Sequence, residues 1–469
     1  MSKAYLKELE GMSPSLAKQK LDSIAQKMRE AVMFSKDYKP TTERVIYVSN
    51  SGRDENDGLT KETPIATISR MNEIVKPYDT VLFERGGHFR GQIDASTKDG
   101  VTYAAYGEGI KPIINCSPRN YAEPSIWEKT EYENIWHCTE KVKNVGVIHF
   151  DPTWYYGGYD DLWGKMRHIG MRGFKTYADL KEDLEFYSDY NTQDLYLYSE
   201  KNPGERFIDI ECAVAGNAVQ VDATGITVDN LWITHTGFHG IGAGHCKKLT
   251  VTNCVFSWIG GSLMSLNLNG NGPTRFGNAV QVYGACDGFV VENNWIYQIY
   301  DTAITHQYSG GDPICHHHNV RYTDNLCEYC FWYIEYYNFP REGAERSVKN
   351  VYIARNFLRL AGHGWGCKNR ARIAPMWCGN RVCDDVENVI GENNIFYHSL
   401  GVLVRLTSCE GHKKEILRNN VYVDPKGAVF AKFGDEEFTF EENSKEALKK
   451  YANEEEPTFV YMQTPDVRF

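Results

Sequence analysis

The sequence predicts an all-β protein, a right-handed parallel β-helix whose coils stack into a solenoid. From about residue 226 a short pattern of alternating β-branched and polar residues recurs, and each copy contains one or two Asn before an apolar pair. No helical period of hydrophobic residues appears within these copies. The repeating unit is therefore predicted to consist of strands, as in the parallel β-helix (PbH1) type of repeat.

Seven equivalent positions give the length of this repeat. Their successive spacings are 23, 40, 31, 31, 38 and 26 residues, which fits a coil near 23 residues with insertions on one face. Asn tolerates left-handed backbone angles and can hydrogen-bond to its counterpart one coil away, so a structural role at a turn is predicted. The positions are Asn230, Asn253, Asn293, Asp324, Arg355, Asn393 and Asn419.

The rest of the chain is predicted to flank or interrupt the solenoid, which spans residues 45–430. Residues 1–44 are predicted to form an N-terminal helical cap, because Ser13-Pro14 is a helix start signal and apolar residues follow along one side. Residues 116–210 are rich in Trp and Tyr and predict an inserted irregular or β subdomain that walls a cleft. Residues 431–469 predict a helical C-terminal cap, which the open end of a solenoid requires.

Charge and composition disfavour several classes of partner. A net charge of -11 argues against nucleic acid or an anionic membrane, and no apolar run is long enough to span a bilayer. The 13 Cys are an odd number and no export signal precedes them, so reduced thiols in the cytoplasm are expected. The sequence leaves a homo-oligomer open.

Two acidic residues stand out as a catalytic pair. Asp301 follows Asn293 by eight residues and Glu335 follows Asp324 by eleven, so both fall in the same region of consecutive coils. Stacked coils lie about 4.8 Å apart, and retaining glycosidases hold their two carboxylates about 5 Å apart. Two such close acids cannot ionise independently, so one pKa must rise. Aromatic residues that flank the pair, including Trp332 and Tyr337, suit a sugar ring.

The stretch "ENNWIYQIYDTAITHQYSGG", followed one coil later by "DNLCEYCFWYIEYYN", resembles the β-helical glycoside hydrolases, namely the family 120 β-xylosidases and the related family 141. The resemblance covers about residues 45 to 430 and implies Asp301 as nucleophile and Glu335 as acid/base. It also implies a neutral oligosaccharide of plant or host origin as substrate. The sequence departs from the family 120 β-xylosidases in two ways: it lacks their second β-rich domain, and it has Thr302-Ala303 in place of a Gly near the Asp. The resemblance therefore implies the fold rather than a particular substrate.

Further polar residues are candidates for binding substrate. His239 and His306 precede and follow the region of Asp301, and a loop beyond Glu335 carries His363, Trp365 and Arg372, each as readily explained as a solvated or structural residue. Arg405 is a weaker candidate in a later coil. Cys327 and Cys330 form a C-x-x-C near His316 to His318, but no second pair with zinc-site spacing accompanies them. No metal and no cofactor are predicted.

The predicted function is a retaining glycosidase, with exo action expected from the cytoplasmic compartment. Two alternatives remain open. A polysaccharide lyase or epimerase would need cations to neutralise a uronate, and the Lys368, Arg372 and Arg381 loop could supply them. A non-catalytic carbohydrate-binding or structural β-helix is the second alternative.

Overall fold

The computed structural model describes residues 7–153, 162–166, 174–267, 272–367, 374–407 and 414–464. Three long sheets, called A, B and C below, dominate the molecule, and nine successive coils each give one strand to each sheet. Neighbouring coils pair in parallel throughout the three sheets. The predicted parallel β-helix is confirmed.

Sheet A contains, in spatial order, β1 (Val45–Val48), β2 (Thr80–Glu84), β5 (Thr102–Tyr106), β14 (Thr227–Asp229), β17 (Cys246–Thr252), β22 (Cys286–Glu292), β25 (Ile314–Thr323), β28 (Glu345–Ala354), β31 (Val386–Glu392) and β34 (Glu415–Arg418).

Sheet B contains β3 (His88–Arg90), β6 (Ile113–Asn115), β15 (Trp232–Thr234), β18 (Val255–Ile259), β23 (Trp295–Ile299), β26 (Leu326–Glu328), β29 (Phe357–Ala361), β32 (Ile395–Ser399), β35 (Val421–Pro425) and β38 (Thr458–Met462).

Sheet C contains β4 (Ile93–Ala95), β13 (Val219–Val221), β16 (Ile241–Ala243), β21 (Val280–Tyr283), β24 (Thr302–Tyr308), β27 (Trp332–Asn338), β30 (Trp377–Val382), β33 (Val404–Leu406), β36 (Val429–Phe433) and the antiparallel β37 (Glu436–Thr439). Within each coil the chain runs through sheets A, B and C in that order.

The turn between sheets A and B is a tight corner with one left-handed residue. All seven predicted turn positions have positive φ, from 53° at Asn293 to 62° at Asn230. The residue after each of the later turns is a fully buried Asn, and these form a ladder inside the solenoid: Asn294, Asn325, Asn356, Asn394 and Asn420. The structural role predicted for the turn residues is therefore confirmed.

Each Asn of this buried ladder bonds to the next coil. The Nδ2 of Asn325 donates to the Oδ1 of Asn356 at 3.0 Å and to the carbonyl of Val291 at 2.9 Å. The ladder ends at Asn420, whose Nδ2 donates to the buried Glu454 carboxylate at 2.9 Å. Burial raises the pKa of Glu454 to about 7. Since buried amides need partners, this ladder fixes how one coil lies on the next.

The insertion in the second coil has a hydrophobic core of its own. It contains an antiparallel sheet of β7 (Trp127–Lys129), β8 (Ile135–Cys138), β10 (Phe186–Ser188) and β11 (Leu195–Tyr198), and a pair formed by β9 (Val145–Phe150) and β12 (Ile210–Val214). It leaves the solenoid after β6 and returns before β13, at the corner between sheets B and C. A further antiparallel pair, β19 (Leu263–Ser265) and β20 (Thr274–Arg275), extends a later loop.

Helices cover the solenoid along one side and at both ends. Helix α1 (Pro14–Met33) begins at Ser13, as predicted, and packs Leu21, Ile24 and Val32 against the outer face of sheet B. Helix α2 (Ile68–Ile74) lies on the first coils, α3 (Pro203–Arg206) lies in the insertion, and α4 (Lys445–Ala452) covers the last coil. Among the described residues, no helix is long and apolar enough to cross a membrane.

We expect Asn325→Ala to destabilise the protein by about 3–5 kcal/mol. The change removes two donated hydrogen bonds and leaves the buried amides of Asn294 and Asn356 short of a partner. Urea unfolding followed by circular dichroism measures the loss.

Asn350→Gly is the matched control for this experiment. Asn350 has a positive φ of 57° and belongs to an exposed row of Asn that crosses neighbouring coils on sheet A. Glycine keeps that backbone angle, so the control should change stability by less than about 1 kcal/mol. Equal losses in the two variants would show that the buried ladder does not set the stability.

Candidate functional site

The outer face of sheet C carries a row of polar side chains. On β24 and β27 the side chains of Ile304 and Ile334 point into the core, and the next residues, Thr305 and Glu335, point outward as register partners. The row continues through Gln281 on one side and through Cys378 to Arg405 on the other. Equivalent strand positions on successive coils thus place polar and charged side chains in one line across the face.

Glu335 lies in the middle of this row and is held by two neighbours. Its carboxyl is only 8% exposed, and its Oε1 accepts a hydrogen bond from the Nδ2 of Asn380 at 3.0 Å. The hydroxyl of Thr302 lies 3.5 Å from its Oε2. The hydroxyl of Thr407 in turn donates to the Oδ1 of Asn380 at 3.2 Å, which orients the amide toward Glu335.

The carboxyl of Glu335 is protonated at neutral pH. Burial and the negative charge of Asp301 raise its pKa to about 8, against smaller opposing effects of Asn380, Thr302 and Arg405. A carboxyl that stays neutral at pH 7 can donate a proton to a substrate atom. Glu335 therefore has the protonation state that a general acid needs.

Asp301 lies at the corner between sheets B and C, immediately before β24. Its N–H donates to the carbonyl of Gly277 at 3.1 Å, and its carbonyl accepts from the N–H of Trp332 at 3.0 Å. Glycine is required in the preceding coil, because a Cβ on Gly277 would lie 2.0 Å from the Cα of Gly260. This close approach of neighbouring corners sets the position from which Asp301 faces Glu335.

The strand register contradicts the expectation that Asp301 and Glu335 lie in the same region of consecutive coils. Thr302 is the partner of Trp332, whereas Glu335 is the partner of Thr305, so the two acids do not occupy equivalent positions on their coils. Thr302 and Thr305 are separated by about 10 Å along the strand at roughly 3.3 Å per residue. The acids approach through their side chains, as the effect of Asp301 on the pKa of Glu335 shows. Coil stacking therefore does not supply the expected separation of about 5 Å.

Trp332 and Tyr337 lie on β27 before and after Glu335. Trp332 is half-buried beside Thr302, with its ring 5.9 Å from that of Phe331. Burial and the charge of Glu335 raise the pKa of Tyr337, whose ring lies 4.9 Å from that of Phe339. The two predicted aromatic residues thus lie on either side of Glu335 along β27.

Two predicted histidine contacts must be corrected. His306 alternates with Thr305 and points into the solenoid, where its Nδ1 lies 2.7 Å from the hydroxyl of Tyr322 on sheet A. A substrate on the outer face cannot reach it. His239 belongs to a corner ladder in which its Nδ1 accepts from the N–H of Asn278 at 3.1 Å. Burial lowers the pKa of His239 to about 4, so its ring is neutral and has a structural role.

Two of the predicted loop residues beyond Glu335, His363 and Trp365, do not line the outer face either. The indole N–H of Trp365 donates to the carbonyl of Gln298 at 2.9 Å, and its ring packs with Tyr300 and with Val147 of the insertion. His363 is buried, and its ring centroid lies 5.1 Å from that of His398. Trp365 thus joins the corner to the insertion. Arg372 and Lys368 lie outside the described residues, as does the side chain of Arg381.

Cys327 and Cys330 are fully buried inside the solenoid. Within the described ranges, no group of three or more His, Cys, Asp or Glu side chains is arranged to hold a metal ion.

Sequence reasoning missed Asn380, Thr302 and the amides that extend the polar row. Asn380 lies in "WCGNRV", two residues after the register partner of Glu335. Aligning this segment with "WYIEYYN" as consecutive strands would have placed it on the outer face, but a register irregularity follows Tyr336. Gln281 and Gln307 also lie on the outer face, because each alternates with core residues along its strand. Their amides are 3.1 Å apart.

The fold and the site define a solenoid with a carboxyl pair on a polar, aromatic-bordered outer face. No protein-family profile and no curated protein sequence matches the chain. One similar solved structure is described as "The complex structure of XylC with xylose", at 13% identity and a TM-score of 0.43 over 83% of this chain and 69% of that chain.

Two further solved structures are similar to the chain. One is described as "Glycoside hydrolase", at 10% identity and a TM-score of 0.42 over 91% of this chain and 97% of that chain. Another is described as "Rhamnogalacturonan lyase", at 11% identity and a TM-score of 0.32 over 82% and 76%.

We expect the Glu335 carboxyl to titrate near pH 8 and to titrate at lower pH in Asp301→Asn. Removing the charge of Asp301 removes a cause that raises the pKa, so the proton leaves more easily. Carbon NMR of the protein labelled at Glu side-chain carboxyls follows the titration.

Asp287→Asn is the control, because Asp287 is an exposed acid on sheet A outside this pair. Its change should leave the titration of Glu335 where it is. An unchanged midpoint in Asp301→Asn would contradict the coupling between the two acids.

Proposed function

We propose that this protein is a glycoside hydrolase in which Glu335 is the general acid. The observation that supports the proposal is a buried, protonated Glu335 coupled to a second carboxyl group on the polar outer face of sheet C. Such a pair matches the requirement of glycoside hydrolysis for one neutral and one ionised carboxyl. Glu335 protonates the leaving oxygen, and the charge on the sugar ring is balanced by Asp301.

We further propose that the substrate is a neutral glycan. Next to Glu335 lie the amides of Asn380 and Gln307 and the buried hydroxyl of Thr302, together with the half-buried Tyr337 and Trp332 rings. Amides and hydroxyls exchange hydrogen bonds with sugar hydroxyls, and aromatic rings offer an apolar surface to the sugar ring. The net charge of -11 adds no general attraction for polyanions.

Exo action and a cytoplasmic location are parts of this proposal. At the corner beside Asp301, the insertion packs on Trp258, Tyr300 and Trp365. We propose that the insertion bounds the substrate-binding part of the outer face on that side. A glycan that enters with one end toward this wall exposes its terminal bond to Glu335. β-Xylosidase-like and fucosidase-like substrates remain the first to test because of the resemblance in the sequence.

The polysaccharide lyase is a second candidate because a cation lies in the same row. Arg405 is two coils from Glu335 on the outer face, and Lys432 is its register partner. A lyase needs a base to remove the proton beside the uronate carboxylate, whereas the raised pKa keeps Glu335 protonated. Ultraviolet absorbance separates the two functions, since a lyase leaves an unsaturated product.

Glu335→Gln should lower kcat/KM about 10²- to 10⁴-fold on glycosides with poor leaving groups, because proton donation to the leaving oxygen is lost. With a dinitrophenyl glycoside the loss should be far smaller, because that leaving group departs without a proton. Steady-state kinetics on aryl-glycosides of xylose, fucose, arabinose, galactose and glucose measures both effects.

Glu387→Gln is the matched control, because Glu387 is an exposed glutamate on sheet A. It should behave as the wild type on every substrate. Equal losses on good and poor leaving groups in Glu335→Gln would remove Glu335 from the role of general acid.

The first-formed product anomer tests the role of Asp301. If Asp301 attacks the anomeric carbon, as we propose, the product keeps the configuration of the substrate. Proton NMR during the first turnovers distinguishes the anomers before they interconvert. An inverted product would make Asp301 the base that activates water, a course for which carboxyl groups lie roughly 6.5–9.5 Å apart.

A further inference from the structure

A surface pocket of about 350 Å³ lies at the corner between sheets C and A, away from Glu335. It spans the coils that contain β17, β22 and β25, and we call it the distal pocket. Its polar lining consists of Thr224, His245, Lys247, Asp287, His316 and His318. None of these residues belongs to the carboxyl pair or its hydrogen-bond partners.

The distal pocket contains a positively charged hydrogen-bond donor and a negatively charged acceptor side by side. Lys247 and Asp287 are register partners on β17 and β22, and both are exposed. Asp287 accepts from the Nδ2 of Asn319 at 2.7 Å, while Lys247 forms no ion pair with any described residue. An ammonium beside a carboxylate can bind neighbouring hydroxyls of one sugar as donor and acceptor.

The three histidines of the pocket are held in place by their own partners. The rings of His316 and His318 stack with centroids 5.0 Å apart, and both contact the hydroxyl of Ser347, at 2.6 and 2.7 Å. The Nδ1 of His245 accepts from the N–H of Ala285 at 3.0 Å, and its Nε2 lies 3.0 Å from the carboxylate of Asp312. These contacts pre-organise the wall, which reduces the entropic cost of binding.

Tyrosine side chains connect this pocket to the carboxyl pair. The hydroxyls of Tyr337 and Tyr283 both contact the hydroxyl of Ser309, the latter at 3.0 Å. The ring of Tyr283 lies 5.5 Å from that of Tyr308, whose ring lies 6.1 Å from His245. Tyr283 is 38% exposed, so this connection reaches the surface rather than the core.

The far side of the distal pocket, at His245, lies farther from Glu335 than the length of a disaccharide. Glu335, Thr305, Gln281 and Gly242 are successive register partners, which spans about 14 Å at roughly 4.8 Å per strand. His245 follows Gly242 by three residues, which adds about 10 Å in the strand direction.

We propose that the distal pocket is a sugar-binding subsite for the far end of the glycan that is cleaved at Glu335. This inference rests on the proposed function and deepens it. The substrate class is a neutral oligosaccharide longer than a disaccharide, which lies over Tyr283 between the two sites. Lys247 and Asp287 bind its distal hydroxyls.

The test compares substrates of increasing length in Lys247→Asn and Asp287→Asn. We measure the ratio of kcat/KM on the longest oligosaccharide to kcat/KM on the aryl monoglycoside of the same sugar. Loss of a hydrogen bond to a charged group should lower this ratio at least about tenfold, mainly through KM. A ratio equal to that of the wild type would overturn the proposal.

Lys248→Asn is the matched control. Lys248 is the exposed neighbour of Lys247, does not line the pocket, and has a φ of 55° that Asn tolerates. Its ratio should equal that of the wild type, and a tenfold fall in this control would also overturn the assignment.

A binding experiment separates this proposal from the proposed function. If the wild type cleaves none of the glycosides, the proposed function fails, and calorimetric titration of the same oligosaccharides into the wild type tests the distal pocket alone. Binding that is weakened at least about tenfold in Lys247→Asn and Asp287→Asn, but not in Lys248→Asn, supports the subsite. The absence of binding to the wild type overturns it.

Discussion

The register between coils, fixed by the buried Asn ladder, is the constraint on which the rest of the structure depends. From the coil of Asn230 onward, each coil turns from sheet A to sheet B through one left-handed residue, and in the later coils a buried amide then bonds to the coil beyond it. A slip of one residue would break these bonds and turn core side chains outward. The fixed register therefore also aligns the outward side chains of sheet C.

This alignment explains how a site can arise from residues that are far apart in the chain. Thr302, Glu335 and Asn380 belong to three consecutive coils, yet their polar atoms meet because each coil repeats the path of the one before. The same stacking buries Glu335 between neighbours that are mostly uncharged, and burial is the largest cause of its raised pKa. The raised pKa of Glu335 thus follows from its buried position within the row, and the charge of Asp301 at the corner raises it further.

Much of the fold could be predicted from the sequence because its determinants are local. The turn residues, the strand alternation and the start of α1 at Ser13 each depend on near neighbours in the chain. The site was harder to predict, because the B-to-C corner has five steps from Tyr297 to Thr302 but four from Glu328 to Trp332. Counting from Asn293 and Asp324 already placed Asp301 and Glu335 three positions apart, and the shorter second corner makes their difference in register four residues. The inward orientation of His306, in contrast, could be predicted from the sequence, because His306 lies two residues after the core residue Ile304 and so shares its face of the strand.

The position of α1 has a consequence for how the chain assembles. Coils of a solenoid contact only their neighbours, so they can form one after another as the chain leaves the ribosome. Helix α1, however, packs on a surface that extends to Val423 and Val460, and Lys7 forms an ion pair with Glu456 at 3.1 Å. Helix α1 therefore completes its docking only after β38, at the far end of the solenoid, has formed. Segments that lie before and after the solenoid in the sequence thus close the fold together.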